Sequence, residues 1–155
     1  MEQNWRHLPP PARPIAAAAT AAVGAAQRRD GDELTAAVSD LAALDQAQTG
    51  LILGVAVRLL LEDGNPDGVD GEAVREVLQR CVRSAATWQP EVDPHVVLLL
   101  LAGALGVAEE DSEPLQPEVG SRHAALLLAE LLGERPAPPL LTAALREIER
   151  SQLND

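Results

Sequence analysis

Three oxygen-bearing side chains recur at alternate positions in the segment Asp63-Gly64-Asn65-Pro66-Asp67-Gly68. Calcium loops between two helices use this spacing, because alternate oxygens followed by a glycine let the chain wrap a hard cation. Asp63, Asn65, Asp67 and Gly68 fit positions 1, 3, 5 and 6 of such a loop. The pattern departs at position 12, where a bidentate carboxylate belongs and Val74 stands. Without that carboxylate, two of about seven ligands are gone. Asp63, Asn65 and Asp67 are therefore calcium candidates, set against the simpler reading of an Asp-, Asn- and Gly-rich turn that ends in a helix cap.

Catalytic patterns are sparse. The histidines His7, His95 and His123 are far apart and form no H-x-x-x-H or H-E-x-x-H pair, so zinc chemistry has no local ligand set. None of the serines sits in a G-x-S-x-G turn. Ser121 stands two residues before His123, but a helix start explains both. The only cysteine, Cys81, falls on an apolar helix face, where a thiol acts as a small hydrophobe. No phosphate-binding glycine loop or dinucleotide fingerprint occurs. The sequence predicts no cofactor, no catalytic residue and a non-enzymatic role.

Charge narrows the partners. The 155 residues carry 24 acids and 12 bases, a net charge of −12. Nucleic-acid and anionic membrane surfaces call for cationic side chains, so both are excluded as partners. Every base is arginine, and Lys, Phe and Tyr are absent, a bias that fits a high-GC bacterial genome. A single cysteine allows no internal disulfide and suits the cytoplasm. The residues suited to protein contact are Trp5 and Trp88 and the acidic cluster Glu109, Glu110, Asp111 and Glu113, which could dock an arginine-rich partner.

The elements that would position these residues are helices. Met1–Pro14 holds four prolines and reads as an extended arm, leaving 15–155 as a single helical domain. Ile15–Arg29 is alanine-rich and helix-prone, but offers little surface to bury, so it is expected to be held weakly. Leu34, Ala37, Val38 and Leu41 have amphipathic spacing, and Leu51–Leu61 is nearly all apolar, with a break expected near Gln46–Gly50. Asp70 is placed to cap the next helix, in which Val74, Val77, Leu78, Cys81, Val82 and Ala85 share one face. Asp93-Pro94 opens an apolar helix that runs to about Gly106. Further helices are predicted over Val119–Leu132 and from Leu140 onward, separated by Pro136, Pro138 and Pro139. No segment alternates as a strand does.

The run Val96–Ala108 lacks charge, but at 1.5 Å per residue it spans ~20 Å, short of a ~30 Å hydrocarbon core. It is expected to be a buried central helix. Leu98–Gly106 (LLLLAGALG) and Ala125–Gly133 (ALLLAELLG) match at six of nine positions. The predicted fold class is all-α, a compact bundle of about six or seven helices, with a short helical-hairpin repeat array as the alternative. Gly50 and Gly54 form a G-x-x-x-G spacing, which allows close helix packing within the chain or at a homodimer seam. The leading functional expectation is a helical protein–protein interaction module that self-associates as a homo-oligomer. The alternatives are a domain that binds a small hydrophobic ligand between Leu99, Leu100, Leu127 and Leu128, and a calcium-binding helix–loop–helix.

Overall fold

The computed structural model describes residues 12–107 and 114–153. Most of the proposed arm, with Trp5 and His7, and the acidic cluster Glu109, Glu110, Asp111 and Glu113 lie outside the described residues. Seven helices and no strand make up the rest: α1 Ala12–Gln27, α2 Gly31–Ala42, α3 Gln46–Gly64, α4 Gly71–Ala86, α5 Pro94–Ala104, α6 Pro117–Leu132 and α7 Ala137–Leu153.

Two local devices set the helix starts. The first is an aspartate cap, whose carboxylate accepts a hydrogen bond from an otherwise orphaned N–H of the first turn. Asp30 accepts from Glu33 N, Asp45 from Gln48 N, Asp70 from Ala73 N and Asp93 from His95 N. The Asp45 cap places the break before α3 at residues 43–45, a few residues earlier than expected.

The second device is proline in the first turn. Those N–H groups have no partner inside the helix, so proline costs no hydrogen bond there. Pro94 and Pro117 open α5 and α6, and Pro138 and Pro139 sit in the first turn of α7. The prolines before Leu140 therefore start the last helix and do not break the chain. Pro14 likewise falls in the first turn of α1, so the helix begins at Ala12, inside the stretch expected to be an extended arm.

Packing departs from expectation at two helices. The alanine-rich α1 is not loosely held. Eight of its 16 residues are buried, and Ile15, Ala16, Ala19, Ala22 and Ala25 are fully enclosed. α1 packs against α2, α3, α6 and α7. Small side chains let neighbouring backbones come close, so alanine here is a packing residue. Its C-terminus is also tied across the bundle: Gln27 Nε2 donates to Gly133 O at 3.0 Å and to Arg135 O at 2.7 Å, in the link between α6 and α7. Arg29 closes α1 with a left-handed φ of 56°, and its guanidinium reaches Ser84 Oγ in the last turn of α4 and Thr87 Oγ1 just after it.

The second departure is α5. Val96, Val97 and Leu101 are its only buried residues, and Leu98 is 42% exposed. The most leucine-dense helix is thus a flank, not the centre. α6 holds the centre instead and packs against α1, α2, α3, α4 and α5. In a hairpin array each repeat touches only its neighbours. Here α1 meets α6 and α7, and α3 meets α7, so the fold is a compact bundle. The similarity of Leu98–Gly106 and Ala125–Gly133 comes from leucine-rich turns followed by glycines with positive φ, 75° at Gly106 and 64° at Gly133.

Ala19→Leu should overpack the enclosed α1 face and lower stability by about 1–3 kcal/mol. Ala17→Leu, at an exposed position of the same helix, should change it by no more than about 0.5 kcal/mol. Urea denaturation of the two variants checks the difference.

Candidate functional site

The calcium candidates do not converge. Asp63, at the end of α3, pairs with Arg135, with Oδ2 3.3 Å from Nη1. Asn65 turns back, its Nδ2 donating to Leu61 O at 2.9 Å. Asp67 is exposed, and Asp70 is spent as the α4 cap. Among the described residues no three His, Cys, Asp or Glu side chains are grouped so as to hold a metal ion. The segment behaves as a capped turn.

Ser121 and His123 are not end-of-helix surface residues. Both are buried in α6, 4% exposed each. His123 Nε2 lies 3.0 Å from Asp93 N, and Nδ1 lies 2.8 Å from Val119 O. A backbone N–H can only donate and a carbonyl can only accept. The ring is therefore neutral, with its proton on Nδ1, and it fastens the residue that caps α5 to α6. Cys81 is buried beside Ala85 and Trp88, and Trp88 packs half-buried on the core. Burial, with the Glu130 carboxylate adding to it, pushes the Cys81 thiol from an ordinary 9.0 up to about 12. A thiol held in this form is a poor nucleophile. Of the groups that sequence weighed for catalysis, His123 is thus engaged in fastening two helices and Cys81 is buried in the core.

What the fold does assemble is a groove between α3, α5 and α6, with a volume of about 430 Å³. Leu53, Val57, Leu99, Leu100, Leu115 and Ala124 supply apolar walls. Of the four leucines proposed to surround a ligand, Leu99 and Leu100 line this groove, whereas Leu127 and Leu128 are fully enclosed in the α6 core. No charged side chain lines it among the described residues, although the chain carries 36 charged residues.

Two features of the groove were not read from sequence. Thr49 lines it and is 3% exposed, yet its Oγ1 has no hydrogen-bond partner. Thr20 in α1 shows the usual solution, with Oγ1 donating to Ala16 O at 2.8 Å. Leaving a buried hydroxyl unpaired costs about 1–3 kcal/mol. Gly50, Gly54 and Gly103 also line it, all inside helices. A Cβ added at any of them would meet nothing within 4 Å, and none has a positive φ. Each costs about 1 kcal/mol relative to alanine with no return in close packing inside the chain. The G-x-x-x-G pair therefore seats no helix of its own bundle. In the sequence Gly50 and Gly54 point only to close helix packing or a dimer seam, and a lone threonine carries no periodic signal, so their meeting in one groove is not legible there.

His123→Leu should leave Asp93 N–H without its acceptor and lower stability by about 1–3 kcal/mol in chemical denaturation, while His95→Ala, at an exposed site, should change it little. Cys81 gives a pH signature. With no Lys or Tyr in the chain, it is the one side chain that titrates between about pH 8 and 12. Its thiol is harder to ionise folded than unfolded, so its contribution is intact below pH 9.0 and is lost as pH rises toward about 12. Thermal melts should show stability falling across that interval by up to about 4 kcal/mol, and Cys81→Ala should flatten the fall. No protein-family model matches the chain, and no curated protein and no solved structure matches it.

Proposed function

We propose that this chain is a non-enzymatic helical binding module that associates with a second copy of itself through the uncharged flank of α3 and α5. One observation carries the reading: the most apolar helix of the fold is covered on one side only. Leu98 on α5 is 42% exposed, Leu51 on the adjacent α3 is 43% exposed, and Val107 just after α5 is 70% exposed. Apolar side chains gathered on neighbouring helices and left in water favour association.

Charge supports the choice of partner. Two chains at −12 repel each other over most of their surface. From Gln46 to Val57, and again from His95 to Val107, there is no Asp, Glu or Arg. A second copy can approach there without desolvating a charge or placing like charges together. A two-fold dimer, the commonest closed assembly, would set this flank against itself. No helix among the described residues is long and apolar enough to cross a membrane, so the flank is read as a protein-facing one. The single buried thiol suits a reducing cytoplasm.

Size-exclusion chromatography with light scattering should give twice the 16.3 kDa chain mass at high micromolar concentration, falling to one chain mass on dilution. Leu98→Glu should abolish the larger species with helicity unchanged. A wild-type protein that stays at one chain mass throughout would overturn the reading.

A further inference from the structure

We infer that the groove between α3, α5 and α6 binds a small neutral molecule, aliphatic over most of its length, whose one polar group hydrogen-bonds to Thr49. The volume of about 430 Å³ falls in the range of small-molecule sites, ~300–1,000 Å³. The walls supply apolar contact from α3, α5 and α6 together. Glycines widen them: a Cβ added at Gly50, Gly54 or Gly103 would meet nothing within 4 Å.

Thr49 gives the groove its polar contact. Its hydroxyl is buried, unpartnered and able both to donate and to accept. A ligand oxygen placed there would supply the bond that the fold leaves unmade. The other polar side chains of the described lining are Gln116, the buried Ser121, and Gln46, whose Nε2 already donates to the Leu41, Ala42 and Leu44 carbonyls. Charge then selects the head group. A carboxylate or phosphate would need a cation, and the described lining has none, in a chain whose net charge is −12. The described lining offers a cation no carboxylate either. A neutral alcohol, ketone or amide on an aliphatic body meets every condition.

The groove shares the charge-free stretches of α3 and α5 with the proposed dimer flank. Its polar anchor and its space, however, come from Thr49 and the glycines, whereas the exposed apolar side chains of the dimer reading, Leu51, Leu98 and Val107, lie outside its lining. Titration calorimetry with 1-octanol tests it on the full chain. The wild type should bind one molecule saturably, and octanoate should bind at least about tenfold more weakly. Thr49→Val keeps the shape and removes only the hydroxyl, and should lower the 1-octanol affinity about five- to tenfold, the worth of one hydrogen bond. Gly54→Leu starts from a Cβ position with nothing within 4 Å and adds bulk to the groove lining, so it should still fold, as its melting temperature checks, and lose binding altogether. Leu98→Glu should bind as the wild type does, which separates this site from the dimer.

Several results would overturn the inference. They are no saturable heat with wild type, equal binding by octanoate, Thr49→Val indistinguishable from wild type, or undiminished binding by Gly54→Leu. If 1-octanol instead converts the wild-type dimer to monomer in step with its binding, the occupant of the groove is the second copy, and the small-molecule site falls.

Discussion

Everything in this bundle depends on how closely α1 and α6 can lie against each other and against their neighbours. α1 brings a face of alanines with Ile15 and Val23, and α6 brings Ala124 and Ala125 beside Leu127 and Leu128, all of them buried. Close-packed interiors lose contact steeply with added distance, so a helix of small residues can be as well held as a helix of leucines if its backbone is near enough. The penalty is that each alanine removes little apolar surface from water. The stability of α1 comes from proximity on several sides at once, to α2, α3, α6 and α7, and from Gln27 clamping the α6–α7 link.

That arrangement determines what is left outside. The alanine-faced α1 and the leucine-rich α6 meet most of the bundle, and the most apolar helix, α5, is placed at the flank. Its own attachment is narrow: three buried side chains, plus the backbone bond from Asp93 to the neutral His123 ring. Leucines that could have filled a core are instead divided between a groove wall and solvent. An exposed leucine is unremarkable by itself. An uncharged flank that recurs on two adjacent helices of a chain with net charge −12 is harder to attribute to chance placement.

Much of the fold was legible in the sequence, and the parts that were not share one cause. Asp70 and Asp93 announced helix starts because capping is a local event within three residues. The amphipathic faces of α2 and α4 were legible because each carries strong apolar–polar contrast, and every predicted inward residue of α2 is buried. Burial of α1 was illegible, since alanine is neither strongly apolar nor polar, and only the distance to α6 decides its role. The exposure of α5 was illegible for the converse reason. Hydrophobicity says that a surface prefers cover, but not whether the same chain provides it. Pro14, Pro138 and Pro139 misled because proline stops a helix from within and starts one from its first turn, and the residue alone does not say which.

The residues of the candidate site were hidden by the same dependence on three-dimensional neighbours. Asp63, Asn65 and Asp67 looked like ligands because spacing along the chain suggested a shared centre, yet Arg135 and the Leu61 carbonyl claim the first two. Thr49 carried no signal at all, because one threonine in a helix ordinarily satisfies itself on the carbonyl four residues back, as Thr20 does. Its interest lies in a bond it does not make. The helical glycines of the groove are the same kind of sign, for they weaken their helices and bring no neighbour closer. Native folds leave few buried polar groups unmet and few helix-weakening residues without a packing reason. Where both exceptions line one uncharged groove, the simplest physical account is that the chain alone does not complete this part of the structure.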